Sequence, residues 1–275
     1  MDPNTKIYPI ILVLLILFLM PAMANAGIIY VDASKADDNG DGLSWPTAKK
    51  YLQSALALAT SGDEIWVAQG TYYPDEGAGQ TDNDRNSTFQ LKVGVSIYGG
   101  FVGGETSRDQ RDWENNQTIL SGDLDQSSTI NGSDAYHVVI GANNAVLDGF
   151  VVTGGNANGN SPNNVGGGML NSSSSPMVTN CNFSQNSAQI YGGGMSNDFS
   201  SPTVTNCTFA QNFVQDPFGG GGGMSNSSSS PTVTNCEFSG NSASFGGGMY
   251  NYNSSSSTVT NCTFSQNSAS LGGGM

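Results

Sequence analysis

Positive charge is what this chain has least of. Eight Lys and Arg residues and one His stand against 22 Asp and Glu, a net charge of −14 over 275 residues. From Val151 to Met275 there is no Lys, Arg or His, and only Asp198, Asp216 and Glu237 are charged. Nucleic-acid binding requires cations that displace counterions from phosphates, so that partner class is excluded. Attraction to anionic lipid is not expected, on the same ground. Disordered chains lack β-branched and aromatic residues. Here Val, Ile, Phe and Tyr recur at regular intervals, which implies order.

Long apolar runs are also missing. The longest, Ile10 to Met20, has 11 residues, too few to span a bilayer. Lys6 precedes it, and the small-residue sites Ala22-Met23-Ala24 and Ala24-Asn25-Ala26 follow it. This is the pattern of a signal peptide over residues 1–26, cleaved to leave Gly27 first and no membrane insertion afterwards. No Cys follows the run, so a lipid anchor is not expected. The expected location is secreted, extracellular or cell-surface.

What the chain has in abundance is repetition. Four segments align: SSSSPMVTNCNFSQNSA from Ser172, SSPTVTNCTFAQNFV from Ser200, SSSSPTVTNCEFSGNSA from Ser227 and SSSSTVTNCTFSQNSA from Ser254. Between them recurs GGGM, ending at Met169, Met195, Met224, Met249 and Met275. Cys181, Cys207, Cys236 and Cys262 are 26, 29 and 26 residues apart, and the longer step contains FVQDPFGGGGGM. An insertion absorbed at one place with the rest in register marks a loop. A 26-residue unit without helical periodicity, with short strands punctuated by Gly, Pro, Ser and Asn, cannot bury its own apolar face. It must stack on its neighbours as a β-solenoid. The fold class expected is all-β: a single-stranded, right-handed parallel β-helix, pectin-lyase-like, with a short N-terminal capping helix.

Side-chain phase can be followed within a unit. Strict alternation puts Val204 and Cys207 on opposite faces, yet both are apolar. A corner at Asn206 resets the phase, since Asn tolerates the left-handed conformation. Asn180, Asn206, Asn235 and Asn261 are therefore expected to stack as a corner ladder. Cys181, Cys207, Cys236 and Cys262 form one internal column, and Phe183, Phe209, Phe238 and Phe264 another. A second Asn, at 186, 212, 241 and 267, marks the next turn. Stacked side chains point the same way, which disfavours disulfides. Free buried thiols are expected.

Upstream, residues 27–62 read as a cap: strand Ile28 to Val31, then a helix from Pro46 to Thr60 with Ala48, Leu52, Ala55, Leu56 and Ala59 at helical spacing. Residues 63–165 read as irregular rungs with projecting loops, and residues 166–275 as the regular array. Asp37-Asp38-Asn39-Gly40-Asp41-Gly42 fits the first half of a calcium loop. Its twelfth position is Ala48 instead of Glu, so Asp37, Asn39 and Asp41 are candidate calcium ligands only, weighed against a solvated acidic turn. No other cofactor is expected. The repeats hold no convergent reactive group, and no catalytic residue is assigned. A hydrolase needs paired carboxylates and a lyase a base. The candidates for that alternative are Arg111, Asp123, Asp125 and His137, within the 63–150 loop region. Asp109-Gln110-Arg111-Asp112-Trp113 reads instead as a loop tied down by ion pairs.

Segment by segment the chain resembles exported bacterial or archaeal right-handed β-helix proteins with polymorphic-outer-membrane-protein-type repeats, relatives of the "choice-of-anchor" surface proteins. The resemblance is carried by IYVDAS at 29–34, SGDEIWVAQGTYYPD at 61–75, STFQLKVGVSIYGGFVGGETSRDQRDW at 87–113, TILSGDLD at 118–125, YHVV at 136–139, LDGFVVTGGNA at 147–157 and the GGGM/NCxFSxN repeats. It implies an adhesin-like protein, secreted or on the cell surface, that binds a glycan or a protein partner without catalysis. Met275 ends in phase with Met249, so the sequence is expected to be a truncated member whose last rung leaves an open edge for self-association.

Overall fold

A computed structural model describes residues 26–275. The segment read as a signal peptide lies, but for Ala26, outside these residues. The described chain winds as a parallel β-solenoid with almost no helix. An eight-stranded sheet runs its full length: Ile28–Val31, Glu64–Ala68, Ser96–Phe101, Val146–Asp148, Met177–Thr179, Thr203–Thr205, Thr232–Thr234 and Thr258–Thr260. A second sheet of seven strands runs from Gly70–Tyr72 to Thr263–Ser265. A third of six runs from Phe89–Gln90 to Met249–Tyr252. A short sheet of three runs from Asn156–Ala157 to Phe213–Val214. Among the described residues, no helix is long and apolar enough to cross a membrane.

Identical residues pair in the repeats. Val204 aligns with Val178 and Val233, Phe209 with Phe183 and Phe238, and Met195 with Met169 and Met224. The Phe rings stack at 5.0, 4.8 and 4.7 Å between centroids. The Val, Phe and Met columns form one core with Cys181, Cys207 and Cys236. All four cysteines are free thiols.

Three of the corners share one construction. A residue in the left-handed region is followed by an inward polar residue whose side chain replaces the interrupted strand ladder. Asn180, Asn206, Asn235 and Asn261 have φ of 52–54°, and a Cys follows each. The amide N–H of Cys181 donates to Cys207 Sγ, that of Cys207 to Cys236 Sγ and that of Cys236 to Cys262 Sγ. The Asn206 amide donates to Asn180 Oδ1 and the Asn235 amide to Asn206 Oδ1, both at 3.3 Å. At the next corner Gln185, Gln211, Gly240 and Gln266 take φ of 55–64°, and the following Asn turns inward. Asn186, Asn212 and Asn241 are thus fully buried, where the sequence suggested turn markers. Each amide bonds the next, at 3.1, 3.0 and 2.9 Å, and also donates to a backbone carbonyl of the preceding rung. At a third corner Ser174, Ser200 and Ser229 accept or donate in the same manner. A further buried ladder, Asn171–Asn197–Asn226–Asn251, stacks at 2.8 Å per step. Gly193 shows why GGGM repeats: a Cβ there would meet Phe213 O at 2.5 Å and Gly222 O at 2.7 Å.

The helix is shorter than expected, Leu52–Leu58 instead of 46–60. Trp45–Thr47 is a separate 3-10 turn. Lys49 is drawn into the sheet edge, pairing with Val31 and donating to Tyr30 O, which prevents a helix from starting before Tyr51. Ala48, Leu52, Ala55, Leu56 and Ala59 all lie at or below 3% exposure, and four of them join the core under the first strands.

Candidate functional site

The outer face of the long sheet changes along its length. Upstream, Tyr30, Trp66 and Phe101 pack with Trp45, the Trp66 and Phe101 rings stacked at 4.8 Å. Midway, Tyr98, Arg108, Arg111, Trp113, Asp148, Met177 and Thr179 enclose a groove of about 540 Å³. The Arg111 side chain, 7% exposed, pairs there with Asp148 at 2.7 Å, while its guanidinium lies 4.8 Å from the Trp113 ring. Arg108 reaches Glu64 at 3.0 Å and the Tyr98 hydroxyl at 2.9 Å. The ion pairs that hold this loop therefore run to Glu64 and Asp148 and not within the DQRD segment. Downstream, the face is bare. Thr203, Thr232 and Thr258 form one exposed column, and beside it Thr179, Thr205 and Thr234, half-buried, lead to the exposed Thr260 in a second. Strand geometry sets these hydroxyl-bearing side chains about 4.8 Å apart across rungs and ~6.6 Å apart along each strand.

A second cleft, of about 560 Å³, lies over the other side of the barrel. It is lined by Ser121, Asp123, Ser128, Asp134, Thr153, Gln185, Gln211 and Phe213 among others. The loop that forms it leaves the second sheet at Ser121 and returns where the Ala135 amide donates to Gly122 O at 2.8 Å. Asp123, Asp125 and Asp134 each bring a carboxylate oxygen to within 4.8 Å of the others. Asp134 is fully buried, and burial with the neighbouring Asp123 and Asp125 charges pushes its carboxyl up to about 6.

The remaining residues singled out from the sequence are placed differently. His137 lies just before the strand Val139–Ile140 and is buried. Its Nδ1 sits 3.0 Å from Gly166 O and its Nε2 3.3 Å from the Asn163 side chain, so both ring nitrogens have structural partners. Burial pushes its pKa down. Arg111 is held by Asp148 and by the Gly99 and Asp148 carbonyls, not aimed at open space. Asp37 accepts from the Asn39 amide, and Asp41 from the Leu43 amide and the Thr47 hydroxyl. Asp38, treated as a spacer in the calcium pattern, accepts from the Lys50 and Tyr51 amides at the helix start. Of the candidates for catalysis, Arg111, Asp123, Asp125 and His137, the structure brings Asp123 and Asp125 together. Asp134, nine residues on from Asp125, was missed because loop closure alone brings it in.

A family model described as "Right handed beta helix region" matches residues 115–274. No curated protein matches the chain. A solved structure titled "Crystal structure of pectate lyase Pel9A" is similar at 15% identity and a TM-score of 0.48, over 79% of this chain and 55% of that one. The chain thus spans about half the length of that structure.

Proposed function

The chain belongs to the right-handed β-helix family, and from that membership we propose that it is an adhesin-like scaffold displayed outside the cell that binds a neutral glycan. The supporting observation is the pair of in-register threonine columns on the open half of the long sheet. They form a flat, uncharged surface of hydroxyls on rigid strands. Such a surface matches the spaced hydroxyls of a polysaccharide and adds no charge to desolvate. The groove with the Trp113 ring, 37% exposed, adjoins its upstream end and offers an aromatic edge on which a sugar ring stacks. The resemblance of the repeats to surface proteins and the signal-like first 26 residues support the location.

The test is binding to immobilised neutral and acidic polysaccharides. Neutral polymers are expected to bind, and Thr205→Glu with Thr234→Glu to weaken binding by about tenfold or more, because an unpaired carboxylate under a ligand costs over ~1.4 kcal/mol. Unchanged binding in that variant would remove this face from the reading. A carbohydrate-active alternative draws on the Asp123, Asp125 and Asp134 carboxylates. Their approach within 4.8 Å is closer than the roughly 6.5–9.5 Å of an inverting hydrolase and at or below the ~5–5.5 Å of a retaining one. New reducing or unsaturated ends that disappear on changing Asp123 or Arg111 would favour it.

A further inference from the structure

We propose that Asp123, Asp125 and Asp134 bind one calcium ion, which closes the 122–135 loop onto the solenoid. Two observations carry this independently. The first is convergence: three carboxylates from one loop place oxygens within 4.8 Å of one another. Calcium takes oxygens at 2.3–2.6 Å, so ligands across the ion lie up to about 5 Å apart. The second is an orphan. Asp134 Oδ1 is buried with no hydrogen-bond partner, although Asp134 as a residue is fully enclosed. Buried carboxylate oxygens are normally partnered.

The surroundings do not supply that partner. Asp134 Oδ2 is taken by the Asn131 amide. Arg85, the neighbouring cation, donates to the Asp134 main-chain carbonyl, to Asn156 O and to Asn158 Oδ1, and makes no ion pair with the carboxylate. None of the ion pairs among the described residues includes Asp123, Asp125 or Asp134. Meanwhile the loop fixes the other two ligands. Asp123 accepts from the Ser127 and Ser128 amides at 2.9 and 2.8 Å, and Asp125 accepts from the Asn131 side chain at 3.0 Å. Each of these oxygens keeps a second lone pair for a cation. The donor set is all oxygen and highly anionic, which suits a hard ion. The irregular loop suits calcium better than magnesium, which demands near-ideal octahedral geometry. This site is separate from the threonine face, and the failure of glycan binding would leave it standing.

The experiment strips the full chain with a chelator and titrates calcium chloride, with magnesium chloride as a parallel arm. It follows the melting temperature and the calorimetric heat. One calcium per chain and a rise in melting temperature are expected, with a smaller response to magnesium. Asp134→Asn and Asp125→Asn should each abolish the rise while keeping the β-sheet circular dichroism of the stripped protein. The pair Asp37→Asn and Asp41→Asn should leave it intact. No calcium response up to millimolar, a response that survives Asp134→Asn, or one lost only with the Asp37 and Asp41 changes would each overturn the proposal.

Discussion

The two halves of the solenoid share one backbone design and use their side chains in opposite ways. In the downstream half the Val, Phe and Met columns set like on like, and the Asn–Cys, Gln–Asn and Ser corners are closed by a side chain from the adjacent rung. In the upstream half few residues stack on their own kind. Covering loops, a Trp–Tyr–Phe cluster and all the ion pairs among the described residues lie there, up to Asp148. The junction shows why both are needed. An amide ladder has a free end, and Asp148 accepts the terminal donor from Asn180 at 2.9 Å while Arg111 balances its charge. The neighbouring ladder ends where Asn186 donates to Val152 O and accepts from the Gly155 amide. Repetition supplies strength per rung, and irregular sequence supplies the place where repetition can stop.

That contrast breaks most visibly in the core. Phe209 is fully buried with a Phe ring on each side. Phe209→Ala should cost about 3–5 kcal/mol of stability, measured by urea unfolding. Because solenoid rungs contact only their neighbours, hydrogen exchange should loosen the two flanking rungs first and leave the Trp45 cluster protected. A uniform loss over both halves would show that they unfold as one unit.

A smaller change probes the interchangeability of the corners. Cys207 accepts from the Cys181 amide, and its thiol contacts the Val178 and Thr205 carbonyls. Ser200 performs the same two tasks one corner away, accepting from the Ser174 amide and donating to Asp198 O. Cys207→Ala should cost about 1–3 kcal/mol by stranding buried backbone groups, and Cys207→Ser should recover most of it. If serine proves no better than alanine, the column is held by sulfur packing and the shared corner logic fails.

Most of this architecture could be read from the residues because its period is explicit. A 26-residue spacing, TVT alternation and the phase reset at Asn206 define strands, corners and inward columns without tertiary knowledge. The inward turn of Asn186 was harder to see, since Gln185 looks like an ordinary polar residue and nothing local says that it takes the left-handed conformation. The helix shortened because Lys49 pairs with a strand 18 residues earlier, a non-local hydrogen bond that outweighs helical spacing. Asp134 escaped notice for the same reason: its neighbours Asn131, Gly132 and Ser133 read as plain loop, and its burial comes from how residues 122–135 fold back on Asn156.

The subtlest probe is the seam itself. His137 belongs to the upstream half but bonds Gly166 and Asn163, where the regular array begins. Burial lowers its pKa below the ordinary 6.5. The unfolded chain therefore binds a proton more readily than the folded one. Stability from this group is complete above pH 6.5 and declines as pH falls from 6.5 toward the folded value. The decline is at most about 1.4 kcal/mol for each pH unit inside that window. His137→Gln should remove this slope from the pH dependence of urea unfolding. Acid should also loosen the Val138–Val139 and Gly166–Gly168 amides before those around Val233, because a charged imidazole disturbs one rung and its neighbours only. Equal acid loosening at Val233 would mean that the seam transmits strain along the whole array, and that the two halves are one cooperative body despite their different chemistry.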